Sequence, residues 1–161
     1  MLDDAGGIAA IYNQGIEERQ ATFETRLQDA QDIARILAAP GGLPFLVAHE
    51  GEQLLGWARV ISYSDRSCYS GVGEASLYVD RAARGRGVGR ELLRALAGTA
   101  EGLGYWKLIG LVFPENRASV ALFESEGYRR MGTFRRHGRL DGSWRDVLLV
   151  ERLLGEAVAP G

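Results

Sequence analysis

The stretch Leu77-Tyr-Val-Asp-Arg-Ala-Ala-Arg-Gly-Arg-Gly-Val-Gly-Arg90 runs from an apolar strand end, through alternating glycines, into a helical pattern. Glycines at 85, 87 and 89 let the backbone turn tightly and let N–H groups converge without side-chain obstruction. The helix that follows adds unpaired amide donors and a partial positive charge at its start. Such a loop suits a pyrophosphate, although a glycine-rich helix start decorated with solvated arginines has the same spacing. A P-loop is excluded, because it needs Gly-Lys-Ser/Thr and the chain's single lysine is Lys107. A dinucleotide fingerprint is also excluded: the spacing here is G-x-G-x-G, and the strand lies mid-chain rather than opening an early βαβ unit.

Working outward, 85–103 predicts a long helix with Val88, Leu92, Leu93 and Leu96 as its buried stripe, closed by Gly102 and Gly104. The strand before the loop covers 72–79, and the continuous apolar run 107–113 reads as a buried parallel strand. Upstream, Asp3 or Asp4 caps a helix through about residue 15, and 28–39 forms a second helix, stopped by Pro40-Gly41-Gly42. Strands follow at 45–49 and 53–63. Downstream, 118–125 is a short helix, and 128–139 with 143–153 forms a hairpin around Leu140-Asp141-Gly142. The order ααβββαβαββ predicts an α/β (α+β) domain over 1–154 with a mixed sheet, and a loose tail over 155–161. The parallel pair, 72–79 and 107–113, is expected to diverge at its C-terminal ends, and no strand is expected before the first helix.

The 161 residues are one domain's worth of chain, with ordinary apolar (46%) and charged (25%) fractions. No apolar run reaches the length of a membrane span. One cysteine, Cys68, excludes an internal disulfide framework and reads as structural, and two histidines, His49 and His137, give no zinc-site spacing. The acidic start Met1-Leu-Asp-Asp lacks signal-peptide character, so the expected compartment is the cytoplasm. A net charge of −2, from 19 basic and 21 acidic residues, argues against a nucleic-acid binder.

Arg84-Gly-Arg-Gly-Val-Gly89 resembles the R/Q-x-x-G-x-G/A motif of the GNAT superfamily of N-acetyltransferases. Phe113-Pro-Glu-Asn-Arg-Ala-Ser-Val-Ala-Leu-Phe-Glu-Ser-Glu-Gly-Tyr128 resembles that family's N-x-x-A-x-x-L-Y-E-x-x-G-F segment. The flanks Ile11-Tyr-Asn-Gln-Gly, Ala21-Thr-Phe-Glu24, Tyr78-Val-Asp80 and Gly142-Ser-Trp-Arg-Asp146 are similar to the phosphinothricin and arsinothricin N-acetyltransferase branch. The resemblance implies a GNAT fold whose central sheet splays between the family's fourth and fifth strands; this chain departs from the family in that no first strand is expected before the helix beginning at Asp3. It implies a cytoplasmic, dimeric enzyme with a detoxifying role and no metal. That enzyme moves acetyl from acetyl-CoA to the primary amine of a glutamate-like amino acid carrying a phosphinate, an arsenical, a sulfoximine or a sulfone. Acetylation of a protein N-terminus and a non-catalytic acyl-CoA sensor remain open beside it.

Attack on a thioester needs a neutral amine, so a base must take the ammonium proton. Glu74, on the strand leading to the glycine loop, matches the branch's catalytic glutamate. Leu77, Tyr78 and Val79 are expected to hold pantetheine through their backbone, as an added strand does, with a β-bulge nearby opening the sheet. Arg84, Gly85, Arg86, Gly87, Val88, Gly89 and Arg90 are expected to receive the pyrophosphate. Asn116 is a helix cap or a contact to the pantetheine arm, and Ser119 and Phe123 complete the cofactor set by resemblance. Phe123 stands where the family often has tyrosine, the usual acid for the departing thiolate. Tyr69-Ser-Gly-Val-Gly-Glu74 lacks an arginine that some branch members carry there. On the acceptor side the candidates are Phe23, Glu24, Arg59 and Tyr63, with Arg59 able to grip a carboxylate through two N–H groups or else to be an outward strand charge. His137 is either a proton relay or a solvated strand residue beside Arg135, Arg136 and Arg139, and Trp144 reads as a packing anchor or a subunit contact.

Overall fold

The computed structural model describes residues 1–158. Helices α1 (Ala5–Glu18) and α2 (Ala30–Leu37) lead into strands β1 (Phe45–Glu50), β2 (Gln53–Ser62) and β3 (Val72–Val79). Helix α3 (Val88–Gly102), strand β4 (Lys107–Val112), helix α4 (Arg117–Ser125) and the hairpin β5 (Arg129–Leu140) with β6 (Ser143–Leu153) complete the order. One six-stranded sheet runs β1-β2-β3-β4-β6-β5. Its β3–β4 pair is parallel and its other pairs are antiparallel. Among the described residues the first strand is β1, as expected, and no helix is long and apolar enough to cross a membrane. Gly155–Val158 form a short 3-10 turn, while 159–161, the rest of the expected tail, lie outside the described residues.

Helix α3 buries Val88, Leu92, Leu93, Leu96, Ala97 and Ala100, a stripe at helical spacing. Leu93 and Leu96 are fully buried against Ala58, Val60 and Leu108 of the sheet. Each such leucine contributes roughly 1.5–3 kcal/mol by leaving water. On the opposite face Ile8 and Ile11 of α1 and Ile33 of α2 close over Trp57, whose ring stacks on Phe45 at 5.3 Å. Helix α2 is fixed by a reciprocal cap: the Asp29 side chain accepts from the Asp32 N–H at 2.9 Å, and the Asp32 carboxylate accepts from the Asp29 N–H at 3.0 Å. That cap starts α2 at Ala30 rather than at 28.

Three expectations are corrected. Asp4 flanks α1 without capping it through its side chain; a 3-10 turn (Leu2–Asp4) precedes the helix, and the Asp4 carboxylate pairs with His49 Nε2 at 3.1 Å. Helix α3 starts at Val88, not 85, because Gly85 and Gly87 have φ of 78° and 84°, outside helical geometry. The sheet does splay, but without a bulge in β3, whose register with β2 is unbroken from Gly73 to Val79. Strands β3 and β4 pair only from Val72↔Lys107 to Glu74↔Ile109, after which β4 continues with β6 alone, through Val112↔Leu148. The six-residue partnership with β6 carries β4 away and leaves a wedge between β3 and β4.

Candidate active site

At the mouth of that wedge, Asp80 caps a single 3-10 turn (Arg81–Ala83), accepting from the Ala82 N–H at 2.9 Å. The chain then passes Gly85 and Gly87 and begins α3. The first bond of α3 runs from the Glu91 N–H to the Gly87 carbonyl at 3.1 Å, so the amides of Val88, Gly89 and Arg90 have no acceptor within the helix. A Cβ built on Gly85 or Gly87 meets nothing within 4 Å, so the space above this helix end is open. Gly89 serves a different purpose: its Cβ would lie 3.0 Å from Leu122, so this glycine lets α3 and α4 approach. Two of the expected phosphate-binding arginines are already engaged. Arg84 Nη1 pairs with Glu18 at 3.0 Å, and Arg86 Nη2 with Glu50 at 2.7 Å. Burial pushes the Glu18 carboxyl up, but hydrogen bonds from Arg84 and Arg81 outweigh it and hold the group below its ordinary value. The side chains of Arg84 and Arg86 therefore brace the loop, which leaves the Val88, Gly89 and Arg90 amides without a helical partner.

The wedge opens into a cavity of about 450 Å³ that collects Glu74, Leu77, Tyr78, Asn116, Ser119 and Phe123, together with Phe23 and Arg59 from the acceptor set. Beyond Glu74, β3 has no strand partner on its β4 side. The Asn116 side chain accepts from the Ser119 N–H at 3.2 Å and donates to the Gln20 carbonyl at 3.0 Å, so it caps α4 and ties down the segment after α1. Arg145 Nη1 holds the neighbouring Arg19 carbonyl at 3.2 Å. Phe23 then lies edge-on to Phe113 at 4.9 Å and covers Gly138, where a Cβ would be 2.6 Å from its ring. Phe123 is buried, edge-on to Tyr128 at 4.9 Å, and brings no proton to this wall. Tyr78 packs on Tyr12 and Trp57; burial pushes its hydroxyl far above the ordinary tyrosine value, the Tyr12 hydroxyl adding to this and the Thr22 hydroxyl pulling back.

Glu74 is half-buried on the cavity wall. Burial pushes its carboxyl above the ordinary value, and the Arg59 guanidinium offsets only part of this. Arg59 itself lies 6.0 Å from the Trp57 ring centroid, and its Nε is buried without a hydrogen-bond partner. Among the described residues, no carboxylate reaches ion-pair distance of Arg59.

Two acceptor-side candidates lie elsewhere. The Glu24 carboxylate turns back to accept from the N–H groups of Thr25 and Arg26, both at 2.9 Å, and does not reach the cavity. Tyr63 lines a second cavity of about 480 Å³, which shares Glu74, Leu111 and His137 with the first. His137 reaches both because β5 is irregular between Phe134 and Gly138: Arg136 adopts φ 49° and its N–H donates to Asp146 at 2.7 Å. Simple strand alternation carries no sign of that irregularity. Lys107 and Glu151 also line the second cavity; sequence reasoning passed over them because their meeting depends on β4–β6 pairing. Cys68, expected to be structural, is exposed, and Trp144 is an exposed platform for the Arg139 guanidinium at 4.1 Å. Among the described residues no group of His, Cys, Asp and Glu is gathered that could hold a metal ion.

Comparison with known proteins matches the acetyltransferase (GNAT) family over residues 8–128. A phosphinothricin N-acetyltransferase from Alcaligenes faecalis is 36% identical over 165 residues, covering 98% of this chain and 83% of that protein. A GNAT superfamily phosphinothricin acetyltransferase (Pat) from Sinorhizobium meliloti, solved in complex with AcCoA, superposes with a TM-score of 0.90 at 29% identity, over 100% of this chain and 89% of the other. A ribosomal-protein-alanine N-acetyltransferase from Brucella melitensis superposes with a TM-score of 0.91 at 31% identity, over 96% of each chain. The open helix end with its unpaired amides, and the unpartnered edge of β3 beside it, fit the pyrophosphate and the amide-bearing arm of acetyl-CoA. The chain belongs to the acetyltransferase (GNAT) family and is an N-acetyltransferase that uses acetyl-CoA.

Proposed function

We propose that this enzyme acetylates the α-amino group of a free, glutamate-like amino acid, of the kind represented by phosphinothricin, arsinothricin and methionine sulfone or sulfoximine, and that its role is detoxifying. The observation that carries the reading is that Glu74 and Arg59 line the same cavity without forming an ion pair. One is a carboxyl raised by burial; the other is a guanidinium left without a carboxylate. A free amino acid supplies what each lacks, an ammonium for Glu74 and an α-carboxylate for Arg59.

Acetyl-CoA supplies an activated acetyl thioester. Val88, Gly89 and Arg90 amides receive its pyrophosphate, with Gly85 and Gly87 leaving the approach clear and Arg84 and Arg86 bracing the loop. The backbone of Leu77 to Val79 holds the pantetheine arm, and Ser119, Phe123 and Asn116 form its far wall. Arg59 fixes the α-carboxylate, and Phe23 closes over the acceptor. Glu74 takes the ammonium proton, which makes the amine a nucleophile. A raised carboxyl is the better base at neutral pH, because proton transfer is most efficient when the base's pKa lies near the working pH. Phe123 is compatible with turnover: a thiol with pKa near about 8.5 leaves readily as thiolate, so a tyrosine acid is dispensable. The working form is a cytoplasmic homodimer in this reading, with Met131, Phe134 and Trp144, all exposed on the β5–β6 hairpin, as its contact surface.

The likeness to a ribosomal-protein-alanine N-acetyltransferase favours a second reading, acetylation of a protein N-terminus. The two differ at Arg59, since a peptide N-terminus offers no α-carboxylate. Thiol release from acetyl-CoA is to be measured with phosphinothricin, methionine sulfone and an alanine-initiated peptide. The proposal expects turnover with the amino acids and little with the peptide; the reverse order supports the second reading, and no turnover with any amine supports a sensor.

A further inference from the structure

The second cavity, beside Glu74, is lined by none of the residues assigned to acetyl-CoA, and its walls are chemically asymmetric. Ile109, Leu111 and Leu149 make an apolar floor. At one end stands Glu74, and beyond the floor stands the cluster of Lys107, Glu151 and Arg129. One rung of the sheet runs Glu74↔Ile109↔Glu151↔Arg129, and the next rung on the same face begins Val72↔Lys107. Lys107 is two residues before Ile109 and therefore shares its face with Glu74. Strand spacing and rise put the Cα atoms of Glu74 and Lys107 ~8 Å apart.

Glu151 is buried, at 6% exposure, and serves two cations. Lys107 Nζ lies 2.8 Å from its Oε2, and Arg129 Nη2 lies 2.8 Å from its Oε1. Hydrogen bonds and charge from Lys107 and Arg129 hold its carboxyl below the ordinary value, against the effect of burial. One carboxylate is thus shared between two positive groups, leaving the cluster with uncompensated positive charge. An ammonium has three N–H donors, and Glu151 holds Lys107 from one side. Lys107 is half-buried at the cavity, with N–H donors to spare for an oxyanion.

We infer that this second cavity is the subsite for the acceptor's side chain, and that Lys107 selects an acceptor whose side chain ends in an anionic oxygen group, such as a phosphinate or carboxylate. The inference rests on the proposed acetylation of a free amino acid and adds the side-chain selectivity of that site. Arg59 on β2, Glu74 on β3 and Lys107 on β4 form a row across three adjacent strands. An amino acid with its amine at Glu74 and its carboxylate towards Arg59 directs its side chain across the apolar floor to Lys107. A methylene arm suits that floor, and a terminal anion suits its far end. Glu151 anchors the Lys107 ammonium at the cavity, and Arg129 shares the same carboxylate.

The test compares two amino acids with the same head group and similar length, one ending in a phosphinate and the other in an uncharged sulfone. Lys107→Gln keeps a hydrogen-bonding side chain beside Glu151 but removes the charge; Lys107→Arg keeps the charge. In the wild type the phosphinate is expected to be preferred. In Lys107→Gln the ratio of kcat/KM for phosphinate over sulfone is expected to fall roughly tenfold or more, the loss of a charge-assisted hydrogen bond, and to do so through KM. Lys107→Arg is expected to restore most of the ratio. Calorimetric binding of the phosphinate amino acid in the presence of CoA should weaken by a similar factor in Lys107→Gln. Equal losses for both acceptors, an unchanged ratio, or unchanged binding overturns the assignment of Lys107. A wild type that binds and acetylates neither amino acid overturns the proposed function itself, and is recognised before any variant is made.

Discussion

Gly87→Val tests whether the start of α3 receives the pyrophosphate. Gly87 has φ 84°, and a Cβ there meets nothing within 4 Å, so the side chain of the variant starts in open space. It carries two separate costs. The left-handed backbone costs an L-residue roughly 1–2 kcal/mol, at the upper end for a β-branched side chain. For a domain of this size that is a fall in Tm of about 2–8 °C. The second cost falls on the ligand. The isopropyl group projects into the open space above the Val88, Gly89 and Arg90 amides, and losing one charge-assisted hydrogen bond weakens acetyl-CoA binding by roughly 10–150-fold. Gly98→Ala is the matched control. Gly98 is exposed in the middle of the same helix, and its Cβ also meets nothing within 4 Å. There alanine should stabilise by about 0.5–1 kcal/mol and leave acetyl-CoA affinity alone. Calorimetry with acetyl-CoA and thermal melts of the three proteins give the answer. Wild-type affinity in Gly87→Val would refute the placement of the pyrophosphate, whatever the melts show.

Two further outcomes rest on the charged groups around Glu74 and Asp32. Arg59→Met should raise KM for amino-acid acceptors, and it should also move the acid limb of the rate profile to higher pH, because Arg59 pulls the Glu74 carboxyl downward; a limb that stays put or moves to lower pH contradicts their coupling. Asp32 is held well below the ordinary carboxyl value, first by Arg26 and then by the Asp29 amide. Its contribution to stability is therefore present above the unfolded carboxyl pKa and is lost as pH falls towards the folded value. Asp32→Asn should flatten the loss of stability in acid denaturation, and an unchanged acid limb contradicts the role given to this cap.

Much of the fold is legible because the decisive signals are local. The apolar stripe of α3, the bounds of β3 and β6, and the Asp141-Gly142 turn, with φ of 50° and 80°, all follow from spacing and turn chemistry. The glycine loop is legible for the same reason, since it is a conformational demand written in adjacent residues. What sequence leaves hidden is long-range. Arg84 and Arg86 look like free phosphate ligands until Glu18 and Glu50, from distant elements, are seen to engage them. Glu24 looks available until its own following amides take it. Lys107 acquires meaning only when β6 brings Glu151 beside it, and His137 only when the β5 irregularity turns it inward. The splay was legible as a topology, but its local cause was not: β6 draws β4 aside, and β3 needs no bulge.

In the proposed reaction Glu74 takes the proton from the amine. Glu74→Gln keeps the shape and most hydrogen-bonding capacity of the side chain but accepts no proton. The direct test is the pH dependence of kcat/KM for wild type and Glu74→Gln with a turned-over amino acid, alongside acetyl-CoA affinity. Turnover is expected to fall roughly 10²–10⁴-fold in the variant, with affinity for acetyl-CoA nearly unchanged. The wild-type rate should rise with pH as the raised Glu74 carboxyl ionises, and that limb should vanish in Glu74→Gln, leaving only the acceptor's own ammonium ionisation. A variant with near-normal turnover and the same acid limb as the wild type would remove Glu74 from the mechanism.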